Sequence, residues 1–161
     1  MASIDDRISA LGLVLPEPLK LPPRVVLPFP WVRVHGNRAY VSGHSAQNPD
    51  GSLAGPFGKV GLDVSLEDAK GLARLTGLSI LGSLKRELGS LDRISAWLRV
   101  FGMVNSAPGF NAQPAVINGF TELIIDIYGK ERGAHARSAV GMAELPFRIA
   151  VEIEAEVAID A

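Results

Sequence analysis

The stretch Arg93-Ile94-Ser95-Ala96-Trp97-Leu98-Arg99-Val100-Phe101-Gly102-Met103-Val104 decides how the chain must be built. Successive side chains of a strand point to opposite faces, so a sheet with one wet face shows strict apolar–polar alternation. Here Ile94, Ala96, Leu98, Val100 and Val104 fall on one face. Ser95, Trp97, Arg99, Phe101 and Met103 fall on the other. Two aromatics and a methionine on the second face would leave an apolar patch that a monomer rarely exposes. The strand therefore predicts a sheet covered on both sides. The N-terminal residues folding back, or another copy of the chain, could supply the second cover.

Working outward, the helices are two. Ser65 and Asp68 stand at capping-box spacing before the stripe Leu72, Thr76, Ile80, Leu84 and Leu88, and Gly89 closes it. Gly71, Gly77 and Gly82 lie inside this helix, where each weakens it by about 1 kcal/mol against alanine. They suggest close approach to a sheet. Gln113 to Tyr128 carries Val116, Phe120, Leu123 and Ile127 at helical spacing and stops at Gly129. Two helices cover one face of a sheet, so a second copy is the favoured cover for the other.

The remaining strands lie at the ends. Trp31–His35 and Arg38–Gly43 flank Gly36-Asn37, a pair that tolerates positive φ, and form a hairpin. Ala136–Ala143 and Arg148–Ile159 flank a Leu145-Pro146 turn. In the last strand Val151, Ile153, Ala155, Val157 and Ile159 alternate with Glu152, Glu154 and Glu156. Those carboxylates are either a solvated face or a subunit boundary, where Arg99 could pair with one of them.

Ahead of the hairpin, Ile4–Leu11 suits a short helix. Pro16, Pro18, Pro22, Pro23, Pro28 and Pro30 keep the following segment extended on the surface. Residues 1–27 thus read as an N-terminal arm and 28–161 as a single α+β domain.

Composition narrows function. The chain has 161 residues, 47% hydrophobic and 20% charged, with a net charge of -1. That near-neutral charge offers no field for phosphates, so nucleic acid is not an expected partner. With no cysteine, thiolate nucleophiles and thiolate metal sites are excluded. The first residues lack a basic then apolar secretory pattern, and no apolar run approaches the roughly 20 residues that span a bilayer. No membrane partner is expected, and a cytoplasmic location follows by default. His35, His44 and His135 are scattered without ligand spacing, and there is no phosphate loop, so no cofactor or metal is expected.

Arg137-Ser138-Ala139-Val140, then Leu145-Pro146, then Val151-Glu152-Ile153-Glu154-Ala155 resembles the signature of the Rid (reactive intermediate deaminase) family, also called YjgF-type or endoribonuclease L-PSP. Val41-Ser42-Gly43, Phe29 after Pro28, and Asn118 after Ile117 agree in order and approximate spacing. The resemblance covers about Pro28 to Ile159. It implies the chorismate-mutase-like fold, a mixed six-stranded sheet with two long helices on one face, closing as a homotrimeric barrel with clefts between subunits.

The resemblance also implies roles. Arg137 would clamp a substrate carboxylate, for which a planar, permanently charged guanidinium is suited. Glu152 would orient the attacking water and take up its proton. Asn118, Ser42, Gly43, Phe29 and Ala139 would help bind substrate, Gly43 through close backbone approach. Bland readings stand beside these: Arg137 as a partner of Glu152, Glu152 as an ordinary strand residue, and Asn118 as an anchor for the loop after Ser106. Departures from the family include Ala139 for a frequent cysteine, Phe29 for tyrosine, and His44 for glutamine. His44 is either a proton shuttle near neutral pH or an exposed loop residue. The activity implied is hydrolytic deamination of carboxylate-bearing enamines or imines, such as 2-aminoacrylate, to 2-oxo acids and ammonia. The alternative is a non-catalytic trimer that binds small 2-imino or 2-oxo acids as sensor or carrier.

Overall fold

The computed structural model describes residues 2–160. Capping begins at once. Ser3 and Asp6 exchange side-chain-to-backbone bonds of 3.1 and 3.0 Å around the start of helix α1 (Ile4–Ala10). Strands β1 (Val32–His35) and β2 (Arg38–His44) form the hairpin across Gly36, whose φ is 59°. Helix α2 (Leu66–Leu88) is capped by Ser65, whose Oγ accepts from the Asp68 N–H at 3.0 Å, and ends at Gly89. Strand β3 (Ile94–Asn105), helix α3 (Gln113–Gly133), β4 (Ala136–Met142) and β5 (Val151–Ile159) follow. Helix α3 is interrupted at Gly129 (φ 76°) and adds one further turn.

The strand order is β1-β2-β5-β3-β4, antiparallel except for the β3–β4 pair. The sheet has five strands, where the family resemblance implied six. The Pro-rich arm runs extended beside the sheet without joining it. Prolines lack the donors a ladder needs, and the arm's backbone bonds go to a loop instead, Glu17 N–H to Pro49 and Lys20 N–H to Gly51, both 3.0 Å. The architecture is otherwise the mixed sheet with two helices on one face.

Both predicted helical stripes are buried. Ile80, Leu84, Val116, Phe120, Leu123 and Ile127 are fully enclosed between the helices and the sheet. Gly77 permits close approach, but to the other helix: a Cβ there would lie 2.6 Å from Leu123 Cδ2. A Cβ on Gly71 would meet nothing within 4 Å, so its position is not set by packing.

Strand β3 departs from simple alternation. Ala96 pairs with Ala158, Trp97 with Val157, then Arg99 with Glu156, so Leu98 is an extra residue in a bulge. The bulge turns Trp97 toward the helices, where it is 2% exposed and edge-on to Phe120 and Tyr128 at 5.7 and 5.9 Å. Trp97 therefore leaves the second face to which strict alternation assigned it. Phe101, Met103 and the glutamates of β5 remain there.

Helix α1 does not cover that second face. Ile4 and Ile8 are buried in the main core, the Arg7 guanidinium donates to the Ile127 carbonyl of α3, and Lys85 of α2 pairs with Asp5 at 2.8 Å. Helix α1 lies on the helix side, and residues 19–27 of the arm run past the β2 bulge, where they share a cavity with Glu152. Among the described residues, no helix is long and apolar enough to cross a membrane.

Candidate functional site

Two clusters of chemistry-bearing side chains stand apart on the sheet, one at its parallel edge and one at a bulge in β2. The first is built on its parallel edge. Arg137 of β4 is level with Val100, so it points to the helix side. Its Nη1 donates to Asn118 Oδ1 at 2.9 Å and Thr121 Oγ1 at 3.0 Å, and its Nη2 donates to the Pro114 carbonyl at 3.3 Å. All three acceptors sit on α3, four and three residues apart, which puts them on one helix face. Asn118 thus orients Arg137. The loop after Ser106 is held by Gln113 instead, Nε2 to Ser106 Oγ at 3.2 Å.

Thr121 continues inward. His135 Nδ1 lies 2.7 Å from the Gly133 carbonyl, which can only accept, so Nδ1 carries the hydrogen. His135 Nε2 then accepts from Thr121 Oγ1 at 3.0 Å, and the same oxygen accepts from Arg137. Burial, and next the Arg137 charge, hold His135 below its ordinary pKa against the Gly133 bond, which favours the neutral ring this chain requires. Burial also lowers the Arg137 pKa, although a guanidinium remains charged at neutral pH. Ala139, level with Gly102, lies on the same face of β4.

The second cluster lies where β2 bulges between Val41 and His44. A Cβ on Gly43 would fall 2.1 Å from Glu152 Oε1, so the glycine lets that carboxylate lie directly against the β2 backbone. The close approach foreseen for this glycine is thus to Glu152. Burial, and next the neighbouring Glu154, push the Glu152 carboxyl above its ordinary pKa. Ser42 donates its hydroxyl to the Pro30 carbonyl at 2.8 Å, so its role is to fix the strand entry.

His44 is 4% exposed, contrary to the surface reading, and its pKa falls to about 4, chiefly through burial. A ring that stays neutral at pH 7 is no shuttle there. Its Nδ1 donates to the Ser42 carbonyl at 2.6 Å, and its Nε2 accepts from Ser83 Oγ at 2.8 Å. Arg86 Nη2 donates to that Ser83 oxygen at 3.1 Å, while its Nη1 donates to the Pro16 carbonyl of the arm at 3.2 Å. Phe29 stands edge-on to Trp31 at 5.8 Å, and Trp31 lies 4.9 Å from the His44 ring. Phe29, Gly43, His44 and Glu152 line one cavity of about 540 Å³.

The expected site residues are therefore split. Arg137, Asn118 and Ala139 form one group; Glu152, Gly43, His44 and Phe29 form the other. Arg137 is level with Ala155 across β3, three residues from Glu152. Two strand spacings and three residue rises separate the two Cα atoms by roughly 14 Å, on opposite faces. Within one chain they do not meet, and Arg137 is no partner of Glu152. Arg99, level with Glu156, does not hold that carboxylate either; Arg38 takes it at 2.6 Å.

Thr121, His135, Ser83 and Arg86 escaped the sequence reading. A hydroxyl one helical turn from Asn118 was the available hint for Thr121.

No protein-family model matches the sequence. The chain is 37% identical over 120 residues to Protein TCP17 of Trypanosoma cruzi, covering 74% of each. The crystal structure of Atu1372 from Agrobacterium tumefaciens, a protein of unknown function, is 38% identical, with a TM-score of 0.86 over 99% of this chain and 93% of that one. A proposed endoribonuclease from Shewanella oneidensis MR-1 superposes at 0.89 with 23% identity, over 98% and 100%. RidA from a Psychrobacter species superposes at 0.55 with 22% identity, over 85% and 93%. The fold is that of the YjgF/RidA/endoribonuclease L-PSP proteins. The chain belongs to the family of TCP17 and Atu1372.

Proposed function

We propose that the protein hydrolyses carboxylate-bearing imines, with each active site completed by Arg137 from one copy and Glu152 from the next in a homotrimer. The observation that carries this reading is the separation just described. A guanidinium held by three acceptors of α3 on one side, and a desolvated carboxylate above a glycine on the other, cannot serve one small ligand within a single chain. The half-covered Phe101 and Met103 mark the face on which another copy would sit.

In this arrangement the outer donors of Arg137 take the substrate carboxylate as a bidentate pair. Water adds to the carbon of the protonated imine while Glu152 accepts the proton that water loses. The raised pKa makes Glu152 a better base than an ordinary carboxylate. The C–O bond forms as the C=N π pair returns to nitrogen. Glu152 then passes its proton to the amino group, the C–N bond breaks as ammonia leaves, and the carbinol hydroxyl returns its proton to the Glu152 carboxylate to become the oxo group of the 2-oxo acid.

Ammonia release from iminopyruvate should fall by about 100-fold or more in Glu152→Gln, while 2-oxobutyrate still binds. A wild-type protein that releases no ammonia above buffer yet binds 2-oxobutyrate would be a carboxylate-binding protein and not an enzyme.

A further inference from the structure

The cavity beside Glu152 is much larger than a 2-aminoacrylate-like imine needs. At about 540 Å³ it lies within the roughly 300–1,000 Å³ of pockets that enclose drug-sized ligands. Its walls are apolar. The arm supplies Leu21 and Leu27, and the body supplies Phe29, Trp31, Leu53 and Ile149. Most polar groups on the wall are already engaged: Gln47 donates to the Glu17 carbonyl at 3.0 Å, Lys20 pairs with Asp50 at 3.3 Å, and His44 and Ser83 bond each other, which leaves Ser45 and Glu152. Glu152 is left as the one lining charge without an ion pair among the described residues.

The rim carries a second, independent signal. Phe147 and Arg148 have φ of 55° and 56°, a left-handed conformation that bulky L-residues adopt only when their surroundings impose it. Phe147 lines the cavity and is nevertheless 64% exposed. Burial therefore does not stabilise this conformation. Such strain concentrates at ligand clamps.

We infer that this cavity receives the side chain of the substrate, and that the preferred imines are those of bulky apolar amino acids, with Leu27, Phe29 and Phe147 as specificity-determining contacts. The inference rests on the proposed imine hydrolysis for its catalytic reading, but the cavity's preference can be measured without turnover. Carboxylate and imine carbon would lie between Arg137 of the adjoining copy and Glu152, leaving the apolar end of the substrate to enter beneath the arm. Pockets lined only by the domain would not need Leu21 and Leu27. This one does, and it gives the Pro-rich arm a part in substrate choice.

The test compares imines generated in situ from leucine and from alanine by an amino-acid oxidase, alongside calorimetric binding of 4-methyl-2-oxopentanoate and pyruvate. The full-length protein should favour the leucine-derived imine and the branched 2-oxo acid by about tenfold or more, the scale on which added methylenes are discriminated. Phe147→Gly relieves the positive φ, so it should melt no lower than wild type while the leucine-to-alanine ratio falls toward one. Leu27→Ala should lower the same ratio from the opposite wall. Equal rates on both imines with equal binding of both 2-oxo acids would overturn the inference and leave imine hydrolysis standing. Selective binding of 4-methyl-2-oxopentanoate without any hydrolysis would support the inference and remove the deaminase. Loss of both activity and binding selectivity would overturn both.

Discussion

Two side-chain chains in this molecule have the same grammar and opposite destinations. Arg86 donates to Ser83, Ser83 to His44, and His44 to the Ser42 carbonyl. Arg137 donates to Thr121, Thr121 to His135, and His135 to the Gly133 carbonyl. In the first, the other arm of the guanidinium donates to the Pro16 carbonyl, which ties the N-terminal segment to α2. In the second, the guanidinium sits on an edge strand with its inner nitrogen held by Asn118 and Thr121, and its Nη2 making a single 3.3 Å contact with Pro114. The chemistry of the relay does not decide the role. What the remaining donors face does.

The sharpest way to break this comparison is to replace each arginine. Arg137→Lys keeps the charge but loses the fork, and kcat/KM for imine hydrolysis should fall by about 10- to 100-fold, matching the 1.5–3 kcal/mol of a charge-assisted bond, with an unchanged melting temperature. Arg86→Lys should do the reverse, lowering stability by roughly 1–2 kcal/mol and leaving kcat/KM within about twofold. Equal losses of activity in the two variants would erase the distinction.

Acid sharpens the contrast. The folded pKa of His44 is about 4 against an ordinary 6.5, so the unfolded chain binds the proton more readily. Stability is therefore full above pH 6.5 and is lost as pH falls toward 4, by about 3 kcal/mol. Denaturant unfolding of His44→Gln should lack this part of the slope. If wild type and variant decline in parallel over that window, His44 is not the group responsible.

The smallest effect belongs to His135, a positioning residue that acts on Arg137 only through Thr121. His135→Ala should raise KM by about fivefold, the worth of one neutral hydrogen bond, with kcat nearly constant. His135→Gln, which keeps an acceptor, should restore most of it. A change confined to kcat would place the histidine elsewhere in the mechanism.

Much of this architecture was readable because local signals agreed with the fold. Ser65 and Gly89 bound α2 as capping chemistry demands, and the stripes of both helices are buried. The bulge at Leu98 was not readable, because it depends on how β3 meets Val157 and Glu156 of a strand more than fifty residues later. The same holds for the site. Arg137, Glu152 and Gly43 carry recognisable chemistry at recognisable positions, whereas Thr121 and Ser83 are ordinary helix hydroxyls until tertiary packing sets a histidine against each. His44 misled for the same reason: nothing local announces that Trp31 and α2 will bury it.

The seating of α1 has a consequence for how the chain is made. Its partners Ile127 and Asp92 lie 120 and 88 residues downstream of Arg7 and Ile4. Synthesis at about 5–20 residues per second leaves the first helix waiting roughly ten seconds for its seat. Seven residues are too few to hold a helix in water meanwhile. Helix α1 thus leaves the ribosome well before its seat exists, and Ile4 and Ile8 stay bare on the nascent chain until α3 has emerged.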